Sequence, residues 1–355
     1  MYFKENNKIS ALLDFAIKKA ATDLHLIVGC APILRIDDKL VEIKEIAPFT
    51  SSSMKLALEG FFSDNGLEEL KEIKEVDFSF GHADYRFRVN IYYQKGDLAA
   101  SFRLIPNQIR TFTELGLPPI IERFIGSSQG FVVITGPAGH GKSTTLASMV
   151  DRINSERHEH IITIEDPIEY LFEPKKSIIS QREVGIDTNS FGKALRSALR
   201  EDPDTILVGE MRDLETVEAA LNLAETGHLV LTTLHTNSAA QTADRIISMF
   251  PSHQQDQVRN QLANVLVGVV SQRLLPKVSG GRVLAAEVMI ADSAIKNLIR
   301  EGKVHQIPNI IQTSSSSGMI SLDKVLAELV SKGEVAVEDA MSWALDPKGF
   351  KMMIY

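Results

Sequence analysis

The segment Gly136-Pro137-Ala138-Gly139-His140-Gly141-Lys142-Ser143-Thr144 fits the pattern G-x-x-x-x-G-K-[ST], and no other stretch constrains the fold as tightly. The pattern functions only as a turn between a buried strand and a helix N-terminus. Its glycines let backbone N–H groups face inward around a phosphate, where a side chain at positive φ would clash. The helix N-terminus adds its partial positive charge. Both flanks comply: Phe131 to Thr135 is an apolar run, and Thr145 to Ile153 reads as helix. A glycine-rich turn with a chance lysine does not account for both. The nine residues therefore form a nucleoside triphosphate site, with Lys142 reaching the β- and γ-phosphates and the Ser143 hydroxyl ligating Mg²⁺.

Around this loop the chain has 355 residues, enough for two domains. Its 38 basic against 46 acidic side chains, a net charge of −8, argue against a surface built to bind nucleic acid. The single cysteine, Cys30, excludes an intrachain disulfide framework and a four-cysteine zinc site, and points to a reducing compartment. The first twenty residues carry scattered charges and no export signal, and no window of 18 consecutive apolar residues exists to span a bilayer. The expectation is a soluble, cytoplasmic protein, free to work against a membrane-bound partner.

Hydrophobic periodicity divides the chain. Ile9, Leu12, Leu13, Ala16, Ile17 and Ala20 recur at helical spacing, and alternating runs follow around Asp23 to Leu26 and Leu34 to Ile36, with Asp37-Asp38 as a hairpin turn. Ser51 to Leu70 reads as one helix with N-caps among Ser51 to Ser53. Three strand-like runs then cover Val76 to Phe80, Tyr85 to Tyr92 and Ala99 to Ile105. Residues 1–108 thus form a small α+β domain, 109–116 a linker, and 117–355 an α/β domain with C-terminal helices. Its strand candidates are Phe131 to Thr135, Ile161 to Glu165, Thr205 to Val208, His228 to Leu234 and Val283 to Met289. Alternation with helices implies a mostly parallel, buried sheet.

A phosphate loop needs a carboxylate for its metal and a group to orient water. Two strands compete for these roles: Thr205 to Glu210, with Gly209 where many such proteins have Asp, and Ile161 to Asp166, which contains Glu165. Carboxylates at the C-terminal ends of parallel strands face the ligand crevice. His228 and His235 flank a further strand. A histidine at a strand end is more often a structural hydrogen-bonder, but His235 lies in the polar cluster Thr232 to Asn237 and is a candidate γ-phosphate sensor. Lys277 to Arg282 contains a Ser-Gly-Gly resembling a transporter signature, yet without its flanking residues a plain turn is the better reading.

Taken in order, these segments resemble the secretion-superfamily ATPases, specifically the PilT-type retraction ATPases of type IV pili. Ala21 to Leu26 and Phe87 to Asn90 look like that family's N-terminal domain. Ile164 to Glu169 looks like its Asp box, Ala198 to Asp213 its Walker B region, Ala224 to Thr236 its His box, and Ala294 to Glu301 a motif of the retraction branch. The likeness runs from about residue 10 to about 333, and the last twenty residues carry no motif. It implies a PAS-like α+β N-terminal domain followed by a RecA-like P-loop ATPase domain, a homohexamer with nucleotide between the two domains, and ATP and Mg²⁺ as cofactors. Its implied partner is an inner-membrane pilus platform protein, which would place the chain at the inner face of the cytoplasmic membrane. By position, Arg88 and Arg103 would be the arginines that approach the phosphates, and His228 and His235 the catalytic histidines. Glu165 would orient water and Glu210 hold Mg²⁺, or the reverse. Ala138 and His140 depart from the family's usual Thr and Ser, and Lys296 replaces an arginine, losing planar bidentate pairing.

Within the superfamily, a pilus-assembly or type II secretion ATPase is the alternative. Those usually have a longer N-terminal region, for which this length leaves no room, and a tetracysteine zinc element that one thiol cannot build. A RecA-like nucleic-acid translocase is disfavoured by the acidic balance and the lack of interleaved aromatic and basic residues. Intact Lys142, Ser143, Glu165 and Glu210 oppose a non-hydrolysing regulator.

Overall fold

The computed structural model describes residues 7–36, 39–62, 66–83, 85–105 and 108–354, so the expected Asp37-Asp38 turn lies outside the described residues. Internal contacts divide the chain into two compact units, one comprising 1–108 with 167–171 and the other 109–166 with 172–355. Among the described residues no helix is long and apolar enough to cross a membrane.

In the first unit, the helix Asn7–Lys18 buries Ile9, Leu12, Leu13 and Ala16 of the expected stripe and half-buries Ile17, whereas Ala20 lies past its end, exposed, at φ 51°. Six strands follow: β1 (Asp23–Leu26), β2 (Ile33–Ile36), β3 (Lys39–Glu42), β4 (Glu75–His82), β5 (Tyr85–Gln94) and β6 (Asp97–Ile105). They form one sheet in the order β3-β2-β1-β6-β5-β4, antiparallel throughout. Period-two alternation gives the sheet two unlike faces. Leu24, Leu26, Phe87, Val89, Ile91 and Phe102 point into the apolar core. Asp23, Arg35, Arg88 and Arg103 fall on the other face, because Asp23 pairs with both Arg35 and Arg103, and Arg103 with Arg88, across the strands.

The helix expected over 51–70 is interrupted. The helix Ser51–Leu58 gives way to a 3₁₀ turn, Glu59–Phe61, and helix resumes at Gly66–Ile73. The turn drives Phe61 into the core against Phe80 and Phe102, with ring centroids 4.9 and 5.7 Å apart. The N-cap is Thr50 rather than a serine of 51–53, and Ser53 returns its hydroxyl to the Thr50 N–H to complete a capping box. Pro167–Leu171 joins this unit, and Ser79 Oγ donates to Ile168 O.

The second unit carries β7 (Gly130–Thr135), β8 (His160–Glu165), β9 (Ile178–Glu183), β10 (Thr205–Val208), β11 (Leu229–Leu234), β12 (Leu266–Pro276) and β13 (Arg282–Ile290). The order is β13-β12-β7-β11-β10-β8-β9, parallel except where β13 returns against β12. Two strands, β9 and β12, go beyond the five expected. The sheet is as apolar as one buried on both faces must be, and every residue of β7, β10 and β11 is buried. Lys277 to Gly281 forms the turn between β12 and β13. The stretch expected as linker contains a helical turn, Phe112–Leu115, which is capped by Thr111 and Glu114 and belongs to this unit.

The C-terminal residues, which carry no motif, still have a packing role. The helices Leu322–Ser331, Val337–Trp343 and Pro347–Ile354 close a small core of Leu322, Leu326, Leu329 and Phe350 against Leu275 and Ala285 of the β12–β13 hairpin.

Candidate active site

Four of the parallel strands present chemistry at their C-terminal ends, where ligands of open α/β sheets bind. The phosphate loop leaves β7 and enters the helix Lys142–Glu156. Gly136 has φ 141°, and a Cβ there would lie 2.5 Å from Gln272 O, so the loop passes too close to β12 for any side chain. Gly141 caps the helix in the left-handed region without supplying a side-chain acceptor, and the first N–H groups of the helix are thereby left to an anion. The Lys142 ammonium is buried and donates to the carbonyls of Gly136 and Pro137, each at 2.9 Å.

His235, one residue beyond β11, places Nδ1 3.4 Å from Lys142 Nζ and Nε2 3.6 Å from Glu210 Oε2. Burial, then the Lys142 charge, pushes its pKa below the ordinary imidazole value, against the pull of Glu210. Glu210, two residues beyond β10, is only 14% exposed and also pairs with Arg212 at 2.5 Å. The chain thus brings Lys142, His235 and Glu210 into one line. Glu165, the last residue of β8, accepts from Thr163 Oγ1 at 2.6 Å. Counted across the sheet, Glu210 stands two strands from β7 and Glu165 three, or about 10 and 14 Å at about 4.8 Å per strand. Gly209 fits between them: a Cβ there would come within 3.4 Å of the Glu165 backbone.

His228 is not brought to this end. It immediately precedes β11, and six residues at about 3.3 Å each separate it from His235. Its Nδ1 lies 2.9 Å from Leu223 O and 3.1 Å from Thr226 Oγ1, closing the end of the helix Leu214–Glu225. Within this unit it is a structural hydrogen-bonder. In the first unit, Arg88 and Arg103 each hold an aspartate, Asp77 at 2.6 Å and Asp23 at 3.0 Å.

A family model described as "Type II/IV secretion system protein" matches residues 7–341. The chain belongs to that family. This type II/IV secretion system protein is 48% identical over 345 residues to the "Type IV pilus retractation ATPase PilT" of Pseudomonas aeruginosa, covering 96% of this chain and 99% of the relative. It is 45% identical over 318 residues to a "Twitching motility protein" of Neisseria gonorrhoeae, covering 88% and 84%. A solved structure described as the pilus retraction motor PilT with bound ADP superposes with a TM-score of 0.90 over 97% of this chain and 99% of the other.

Several residues of this secretion-family protein that shape the site carry no motif. Thr135 Oγ1 accepts from the Thr236 N–H at 2.9 Å and tethers the root of the loop to the His235 segment. Gln272 is buried on β12 and donates to Thr145 Oγ1 at 2.8 Å. Arg273, 1% exposed, donates to Gln272 O and Asn237 O, both at 2.7 Å. The only signal for Gln272 and Arg273 is the polar run Ser271 to Arg273 within an otherwise apolar stretch. His140 is not a free titrating group: its Nδ1 accepts from the Leu274 N–H at 2.9 Å. Burial, then the Arg273 and Lys142 charges, lowers its pKa. Lys296 contributes one bond, to Asn264 O at 3.3 Å, which an ammonium can make without a planar fork.

Proposed function

We propose that this chain is an ATPase motor of type IV pilus retraction, hydrolysing ATP to ADP and phosphate and coupling turnover to pilin disassembly and twitching. The observation that carries the reading is the convergence of Lys142, His235 and Glu210 beside an intact phosphate loop. It occurs in a chain nearly half identical, over almost its full length, to a PilT named for retraction.

In this reading the backbone of Gly136 to Thr144 cradles ATP and Lys142 neutralises the β- and γ-phosphates. The half-buried Ser143 hydroxyl and the Glu210 carboxylate fit Mg²⁺, a hard cation that takes one or two protein oxygens and completes its shell with phosphates and water. When bound, the ion neutralises charge on the phosphate oxygens. Glu165 orients the attacking water while Glu210 holds the ion, or the two carboxylates exchange these roles, and His235 senses the γ-phosphate. Arg88 and Arg103 are the cations that offset charge in the loose transition state. The chain works as a homohexamer at the inner face of the cytoplasmic membrane, against an inner-membrane platform protein of the pilus machinery.

A deletion strain combined with ATPase assay of the purified protein tests this. Surplus, immobile pili together with Mg²⁺-dependent turnover are expected. Bald cells would assign the chain to assembly, and wild-type turnover by Lys142→Ala would remove the site.

A further inference from the structure

His140 occupies a variable position of the phosphate loop, and its ring is held from two sides. Nδ1 takes the Leu274 N–H of β12. The ring packs edge-on against Trp343, with centroids 5.0 Å apart at 72°. The same indole carries the Arg273 guanidinium 5.2 Å from its ring centroid, and Arg273 Nη1 lies 3.3 Å from where a Gly136 Cβ would be. Trp343 is itself fixed. It ends the helix Val337–Trp343, and two residues later the N–H groups of Leu345 and Asp346 bond to the buried Asp323 carboxylate at 2.7 and 2.9 Å. The loop is thus held at His140 and flanked beside Gly136 by a pillar made of Arg273 from β12 and Trp343 from the C-terminal helices.

We propose that His140 is a positioning residue that clamps the phosphate loop to β12 and to the C-terminal helical cap, so that the loop's nucleotide state is felt at Trp343. The physical route is short. Lys142 now spends its ammonium on the carbonyls of Gly136 and Pro137. A β-phosphate competes for that ammonium and for the loop N–H groups, and the hydrogen bonding inside the loop must change while His140 is held from outside. The strain of that change passes through the His140 ring to the indole. The clamp lies outside the phosphate-facing surface, so its loss reshapes the loop without removing a group that touches nucleotide.

The proposal rests on the nucleotide-site reading. Trp343 is the only tryptophan in the chain, so its emission reports the clamp directly. Full-length protein is titrated with Mg-ADP, following tryptophan emission and binding heat in parallel. The wild type should show a saturable emission change with the affinity found by calorimetry. His140→Ser removes the ring and draws the acceptor back, since Oγ is one bond short of the Nδ1 position. It should bind ADP about three- to tenfold more weakly, the scale of one net hydrogen bond, and lose the emission change. His140→Asn restores an acceptor at the same place, and should recover affinity to within about threefold without recovering the emission change. Cooperative melting of each variant near the wild-type temperature excludes misfolding. ADP binding by the wild type without an emission change overturns the clamp alone. So does a His140→Ser protein that keeps the wild-type affinity and emission response. Absence of ADP binding by the wild type overturns the nucleotide site and the clamp together.

Discussion

Lys142 Nζ lies 3.4 Å from His235 Nδ1. An ammonium only donates, so Nδ1 is the acceptor and the imidazole proton sits on Nε2, facing Glu210. A second proton would place a cation against Lys142, which is why burial and Lys142 together hold this pKa below the ordinary 6.5. ATP turnover is therefore expected to stay on its plateau as pH falls through 6.5 and to decline only below it. The His235→Gln variant can still accept from Lys142 and donate to Glu210. It should keep part of the turnover and lose the acid decline, and a pH profile of kcat for both proteins checks this. An unchanged acid limb in His235→Gln would assign the titration to another group.

Glu210 and Glu165 stand at the ends of the adjacent strands β10 and β8, and Glu210 faces Lys142 through His235. Glu210→Gln should therefore cost more than Glu165→Gln. General-base and metal-orienting groups are worth about 10²- to 10⁴-fold, and the larger loss is expected at Glu210 with nucleotide binding retained. Steady-state ATPase of the two variants decides, and a larger loss at Glu165 would reverse the division of roles.

The parts of this site legible in the sequence were those where chemistry dictates spacing. Gly136, Gly141 and Lys142 announce themselves because the backbone must turn and the ammonium must reach. Two strands escaped for physical reasons. The helix Gln255–Val265 runs straight into β12 at Leu266, and the strand's one glycine, Gly268, falls within it rather than at the junction, so the largely apolar run from Val265 to Val270 gives no sign of where its period changes. At the sheet edge, β9 is mostly half-buried and lacks a continuous apolar run. His228 and His235 flank one strand, and beyond the polar cluster around His235 only the strand's direction separates them. The pillar of Arg273 and Trp343 is illegible because its members lie 70 positions apart and meet only after the C-terminal helices fold onto the β12–β13 hairpin.

Glu287, on β13, is buried beside Arg273 and Asp323 and accepts the Ala239 N–H at 2.6 Å. Burial pushes its pKa up to about 7, and Asp323 adds to the rise while the Ala239 N–H and Arg273 oppose it. Folding thus favours the protonated carboxyl. This group costs nothing below the unfolded value near 4.5, and its penalty grows as pH rises toward 7 and stays in full above it. A shift of that size corresponds to at most about 3 kcal/mol. Glu287→Gln keeps the acceptor for Ala239 and removes the titration. Its stability relative to wild type should rise between pH 5 and pH 8, as read by thermal or denaturant unfolding at the two pH values. A difference independent of pH would show that Glu287 does not titrate in this range.

Arg88 and Arg103 stand directly opposite each other on β5 and β6, an unfavourable like-charge pair that Asp77 and Asp23 offset. Arg103 is 69% exposed and Arg88 39%, and Asp23 keeps Arg35 at 3.8 Å if Arg103 is lost. Exposed ion pairs contribute about 0–1 kcal/mol, so Arg88→Ala and Arg103→Ala should leave unfolding midpoints close to wild type. If these arginines neutralise the transition state, the same variants should lose about 10³- to 10⁵-fold in kcat while still binding ADP. Arg→Lys should recover little, because an ammonium lacks the planar fork. Melting curves and ATPase assays on the same preparations separate the two effects. Near-wild-type turnover in both alanine variants would leave the pair as a solvated row on the polar face of the first sheet.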